Sequence, residues 1–242
     1  MPFDATSPST TADNFGERRD DQQVKRYSGD VRQDLDRVLD DGAAAKIVGG
    51  LSHPSKMPEA AWGISAFRCQ VGSILADQDD TTCSHCYARK GRYRFARVES
   101  KNELRLQGLS HPLWVPAMVL LIRWNVSRYF RWFDSGDLQN ENHLFNITKV
   151  AESTPHILHW LPTQEHRIVR DFQEPIPENL LIRLSSRLVD GERPEWSHTS
   201  GVFTERVPRG STECEAPSRG NRCGPCRACW DPDIQDISYR LK

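Results

Sequence analysis

Seven cysteines fall into two sets, three in one half of the chain and four near its far end. In the first set, "CSHCYARKGRY" (83–93) puts Cys83 and Cys86 either side of two residues, and Cys69 precedes them across thirteen more. In the second, "CGPCRACW" repeats the two-residue gap at Cys223, Cys226 and Cys229, with Cys214 upstream. A two-residue gap lets thiolates converge on one metal or one cluster from a tight turn. Three thiolates are an incomplete set for structural zinc, which is nearly always four-coordinate. For a 4Fe–4S cluster the same three leave one iron open to a substrate or cofactor. Four thiolates close a site, around either zinc or a second 4Fe–4S cluster. An odd total fits disulfide pairing poorly, and in a reducing compartment cysteines more often ligate or react.

The whole chain limits what these sets serve. Its 242 residues suffice for one large domain or two small ones. A formal net charge of −1 gives no global pull toward polyanions, although local basic patches remain open. Hydrophobic residues make up only 37% of the chain, so part of it is expected outside a core. The longest apolar run, "PLWVPAMVLLIRW" (112–124), is broken by Arg123 and too short to cross a bilayer. The first residues lack the basic start and apolar stretch of a secretory signal. No membrane association is expected, and the chain reads as soluble and cytoplasmic.

Residues 1–42 are polar and short of aromatics, and read as a mobile arm with one helix around "SGDVRQDLDRVLDD". A folded domain is expected over 43–207. "RFARVESKNELRLQGL" and "LWVPAMVLLIRWNV" read as helices, the second mostly buried, with Pro116 tolerated near its start. The pattern then alternates. "RYFRWFD", "HILHWL" and "NLLIRLS" read as strands, separated by helices in "NENHLFNITKVAES" and "QEHRIVRDF". This order is the signature of a parallel sheet with right-handed crossovers. The fold class is therefore α/β, a partial (β/α) barrel or an open parallel sheet, with a cysteine-rich metal-binding extension over 208–242. An active site belongs at the carboxyl ends of the strands, here "FDSGD" (133–137), "LPTQE" (161–165) and "LSSR" (184–187).

The ordered motifs "SHPSKMPEAAWGISAFRC…CSHCYARKGRY", "FRWFDSGDL" and "CGPCRACW" resemble a family of phage and prophage proteins catalogued under a gene-product name, over roughly residues 46–240. More distantly, the arrangement resembles radical S-adenosylmethionine enzymes. That resemblance implies a first strand near "AAWGISA", then Cys69, Cys83 and Cys86 holding a 4Fe–4S cluster whose open iron chelates S-adenosylmethionine. It puts Ser135, Gly136 and Asp137 in the place of a Gly-Gly-Glu segment, with Asp137 on the methionine amine. Cys214, Cys223, Cys226 and Cys229 become an auxiliary 4Fe–4S cluster or a zinc knuckle. The chemistry implied is reductive cleavage of S-adenosylmethionine and hydrogen abstraction from an unknown substrate, a nucleotide or nucleic acid among the candidates. The electron would come from a flavodoxin- or ferredoxin-type donor, in the host cytoplasm if the chain is phage-encoded. The family's usual first gap of three residues is thirteen here, an aromatic residue before the last cysteine is replaced by His85, and Ser-Gly-Asp only loosely matches Gly-Gly-Glu.

The residues also admit other readings. His85 or another histidine would complete a zinc site with the first three cysteines. "DSGD" is also what a plain strand-end turn looks like. Arg183 and Ser185 alternate with Ile182 and Leu184, so one polar face is expected to line a barrel interior, where Arg183, Ser185, His159 or Glu165 would meet substrate or cofactor. Lys56, Lys90 and Arg92 read as solvated surface or as ligands of a phosphate or carboxylate. The alternative function is a non-catalytic zinc-binding module, with "KGRYRFAR" (90–97) binding nucleic acid or a protein partner. Metal hydrolysis around Asp134 and Asp137 is weaker, because one short turn assigns no separate acid and base.

Overall fold

The computed structural model describes residues 24–38 and 40–241. Strand formation follows β-branched and aromatic residues, and the strands order themselves as their connections dictate. β1 (Ala61–Trp62), β2 (Tyr129–Trp132), β3 (Leu158–Thr163), β4 (Leu180–Ser185), β5 (Thr199–Phe203), β6 (Thr212–Glu213) and β7 (Asp236–Arg240) form one open sheet in the order β1-β2-β3-β4-β5-β7-β6. Every pairing is parallel. The helices are α1 (Val31–Leu35), α2 (Asp41–Val48), α3 (Val71–Ala76), α4 (Ala96–Gly108), α5 (Trp114–Asn125), α6 (Glu141–Glu152) and α7 (His166–Asp171). The open parallel sheet is the second of the two architectures expected from the sequence.

Pleating sorts each strand onto two faces. Trp62, Trp132, His159, Ile182 and Leu184 share one face, and with side chains of α5, α6 and α7 they form the main core. α5 is apolar nearly all round and buried along most of its length. Trp62 packs edge-on against Trp114 at 5.5 Å and Trp132 at 6.1 Å, and its indole N–H donates to the Val48 carbonyl, tying α2 to β1. Arg131, Trp160, Arg183 and Ser185 lie on the other face, against which the 3-10 turn Ala228–Trp230 packs.

Two segments differ from expectation. The arm expected over 1–42 lies outside the described residues as far as residue 23, but from Val24 onward the chain packs on the domain. Val24 and Val38 are in the core, and Asn142 and Asn146 bond the backbone of Val24, Lys25 and Tyr27. The segment 208–242 contributes β6 and β7 to the sheet, with β7 inserted between β5 and β6, so it is sheet as well as knuckle. Its strands are short and interrupted by Gly and Pro, which hid them from a periodicity reading. Among the described residues no helix is long and apolar enough to cross a membrane.

His143 and His159 are completely buried in this aromatic core, and burial pushes both down to about 3. Unfolded histidine titrates near 6.5, so between those values the unfolded chain binds protons the folded one refuses. Stability should fall as pH drops from about 6.5 toward 3, by about 1.4 kcal/mol per pH unit for each histidine. Neither ring nitrogen of His143 has a hydrogen-bond partner, and Trp62, Trp114 and Phe133 enclose the ring. His143→Phe should therefore leave stability at pH 7 nearly unchanged and flatten the acid slope in urea unfolding between pH 6.5 and 5. An unchanged slope would mean that His143 is not held neutral by the fold.

Candidate functional site

The long loop after β1 lies across the carboxyl ends of β2, β3 and β4, and hydrogen bonds to all three strand ends hold it. Gln70 donates to the Gln139 carbonyl beyond β2, at 2.6 Å. The Val71 N–H, at the start of α3, donates to Glu165 just after β3, at 2.8 Å, so a carboxylate satisfies an otherwise unpaired helix-start amide. The Thr82 hydroxyl donates to the Ser186 and Arg187 carbonyls beyond β4, and Gln164 donates to Ser186.

This loop gathers the first three cysteines. A side chain on the buried Gly72 would stand 3.5 Å from both the Cys69 and Cys83 sulfurs and 3.0 Å from the Cys69 Cβ. Both thiols therefore border one space, kept clear because residue 72 has no Cβ. The Cys86 N–H bonds the Cys83 carbonyl at 3.1 Å in the tight turn expected of the two-residue gap. Burial raises the Cys69 thiol well above its ordinary range, with Asp137, Cys83, Cys86 and Glu165 adding repulsion. Burial likewise raises Cys83, to about 12, with Cys86 and Asp137 contributing. Cys69 and Cys83 are thus held as neutral thiols, and binding a cation there would have to displace their protons. Among the described residues no three His, Cys, Asp or Glu side chains are already drawn into a metal-ready group. Two of the three thiols, Cys69 and Cys83, flank Gly72, and Cys86 is close enough to both to raise them.

The "DSGD" turn folds back over the end of β1. Phe133 takes φ 54° and Gly136 φ 79°, so the chain leaves β2 through a left-handed kink that is strained for phenylalanine. A Cβ at Gly136 would meet Ile64 at 2.3 Å, and one at Gly63 would meet the Ser135 carbonyl at 2.3 Å. Two glycines thus permit the close approach that brings Ser135 to the rim. Asp137, expected to contact a ligand amine, already accepts three hydrogen bonds. One oxygen accepts from Thr163 at 2.5 Å and from the Leu138 N–H at 2.8 Å, and the other from the Gln164 N–H at 2.8 Å. Burial pushes its carboxyl up to about 6, against those three hydrogen bonds. The buried acceptors without a hydrogen-bond partner in this turn are instead Asp134 Oδ1 and Ser135 Oγ, with Gln164 Oε1 nearby on the rim.

The second cysteine set sits on the Arg183 face of the sheet. Cys214 N–H bonds Ser238 on β7, Cys223 N–H bonds Lys56, and Cys226 N–H bonds Cys223. Cys214 lies near enough to Cys223 and Cys229 to raise both thiols, as Cys226 does Cys223, and burial pushes Cys229 up to about 11. Trp230 anchors the set: its indole N–H donates to Phe130 at 2.9 Å, and its ring packs on Tyr129 and Trp160. Arg183, expected to meet substrate, is completely buried and donates to the carbonyls of Ala228, Cys229, Asp231 and Gln235. It therefore staples the knuckle to β4. His159 bonds Thr154 inside the core, also away from the rim. Ser185 stays on the inner face, 3.2 Å from Ser200, and Glu165 stands beside the thiols.

Arg131 was missed from the sequence, and it lies between the two cysteine sets. Its guanidinium stacks over Trp160 at 4.5 Å and donates to the Tyr87 hydroxyl at 3.1 Å, while its buried Nε has no partner. It is near enough to both Cys223 and Cys229 to favour their thiolates. Tyr87 in turn donates to the Asp134 carbonyl at 2.7 Å. The only signal in the sequence was a cation alternating with aromatics in "YFRWF".

A family model described as Gene product 88 matches residues 65–232, a span that includes all seven cysteines, and the chain belongs to this phage-type family. No curated protein and no solved structure matches the chain.

Gly72→Val should displace Cys69 and remove most metal from the first set, read as loss of cobalt–thiolate absorption, while the second set still binds. Equal cobalt occupancy in both proteins would show that the space at Gly72 plays no part. Arg183→Met should cost roughly 2–4 kcal/mol in urea unfolding, because buried carbonyls lose their donor. A change below about 0.5 kcal/mol would mean the knuckle does not depend on that staple.

Proposed function

We propose that this protein is an iron–sulfur enzyme of the radical S-adenosylmethionine type. The observation that carries the reading is that Cys69 and Cys83 flank Gly72, with Cys86 in electrostatic reach of both, at the carboxyl ends of an open parallel sheet. Those three cysteines would hold a 4Fe–4S cluster with one open iron. Bound there, the cluster supplies one-electron reduction of the sulfonium cofactor, which starts hydrogen abstraction from substrate. An external one-electron donor of the flavodoxin or ferredoxin class supplies the electron.

The chain's own residues bind and orient. Asp134 Oδ1 and Ser135 Oγ are the acceptors available to a ligand ammonium, so this reading moves the amine contact from Asp137 to them. Asp137 positions the turn by bonding Thr163 and Gln164. Glu165 stands on the same rim, whereas Ser185 bonds Ser200 on the Arg183 face of the sheet. Cys214, Cys223, Cys226 and Cys229 hold a second cluster or a zinc ion. A zinc module would need a fourth ligand beside the first three thiolates, and the adjacent Asp137 already accepts three hydrogen bonds. A cluster with an open iron needs no fourth protein ligand.

The test is iron, sulfide and zinc content after anaerobic purification of the wild type and of a Cys83→Ala/Cys86→Ala variant. Two clusters would give about eight irons, falling to about four in the variant. About four irons with one zinc, the iron lost in the variant, would keep the enzyme and make the knuckle structural. Zinc without acid-labile sulfide would end this reading and leave the zinc-binding module.

A further inference from the structure

Immediately after Cys86 the chain runs Tyr87–Val98 with five cations, Arg89, Lys90, Arg92, Arg94 and Arg97, and no acidic residue. In a chain of net charge −1 this is a local concentration of positive charge. Two 3-10 turns, Tyr87–Arg89 and Gly91–Arg94, present it on the surface rather than folding it onto a partner. Lys90, Arg92, Arg94 and Arg97 are exposed, and among the described residues none of them forms an ion pair. Of the nearby carboxylates, Glu103 pairs with Arg68, and Glu99 accepts from Ser65 through one oxygen while its other oxygen, buried, has no partner.

Aromatic faces interleave with these cations. Tyr87 is 56% exposed, Phe95 61% and Phe67 45%, with the Arg89 guanidinium over the Phe67 ring at 4.8 Å. Exposed apolar side chains are informative where they cluster, and here three aromatics lie along or beside one run of cations. Tyr87 and Tyr93 lie edge-to-face at 5.6 Å, and both hydroxyls donate to the Asp134 carbonyl, so the strip ends at the rim. There Arg131, stacked on Trp160, offers a buried Nε that no protein group satisfies.

We infer that residues 87–97, with Phe67 and Arg131, form a binding strip for a single-stranded nucleic acid. The exposed cations track phosphates, Tyr87, Phe95 and Phe67 stack bases, and Arg131 receives a phosphate at the rim. Stacking platforms among cations suit unpaired strands, because only there are base faces available. A protein partner would need complementary carboxylates but no bases, and the test separates the two. The inference goes beyond the iron–sulfur reading and stands or falls independently of it, because binding needs no turnover.

The experiment is fluorescence anisotropy of the full-length, anaerobically purified protein with a labelled oligothymidine of about fifteen nucleotides. Binding should weaken with salt, with a log–log slope near −2 to −3 for roughly three to four phosphates neutralised. Arg92→Glu/Arg94→Glu should weaken it more than tenfold and Phe95→Ala by about tenfold, while Arg167→Glu/Arg170→Glu on α7 stays within twofold. Circular dichroism and iron content, unchanged in these surface variants, separate loss of the strip from loss of the fold or cluster. Binding of an abasic strand as tightly as the oligothymidine would overturn the stacking role. No binding at low salt, or loss of less than twofold on charge reversal, would overturn the strip itself.

Discussion

A single buried carboxylate sets the geometry of the rim. Asp137 reaches from the turn after β2 to the hydroxyl of Thr163 and the backbone of Gln164 at the end of β3. Parallel strands joined by helical crossovers have no hairpin to align their ends, so such a cross-strand contact determines where their loops start. The next residue, Glu165, accepts from the start of α3, and that short helix carries Gly72 beside the thiols. The whole cysteine loop therefore hangs from a carboxylate that is costly to bury and is retained with three hydrogen bonds.

The same logic applies on the Arg183 face, where a guanidinium replaces the carboxylate. Arg183 gathers four carbonyls of the C-terminal segment, and Trp230 inserts against Tyr129 and Trp160. A face that would otherwise expose aromatic surface is thereby covered by the chain itself, and the two cysteine sets end up on either side of Arg131. Their separation in sequence and proximity in space make the protein one unit around an open sheet, with no independent metal-binding appendage.

Much of the fold was legible because period and composition carry it. "RYFRWFD", "HILHWL" and "NLLIRLS" are dense in residues that favour pleated surface, and the intervening helices show their apolar stripe, as in Leu144, Ile147 and Val150. β5, β6 and β7 were not anticipated. β5 carries a glycine among small polar residues, β6 is two residues long, and β7 follows a Gly- and Cys-rich run in which no alternation develops. Packing onto neighbours, rather than propensity, makes them strands.

The cysteine spacings announced two groups of thiols, because a two-residue gap is a local property of the chain. Which cation or carboxylate stands beside them is not local. Asp137 and Arg183 looked like site residues because both are polar at a strand end, yet both turned inward to satisfy backbone and hydroxyl groups. Asp134, Ser135 and Arg131 kept unsatisfied atoms only because of how three strands register. Sequence by itself determined the central strands and helices, their parallel order and the grouping of the cysteines. Only the tertiary structure decided which polar groups are consumed by the fold and which stay available, because hydrogen-bond saturation depends on neighbours far away in the chain.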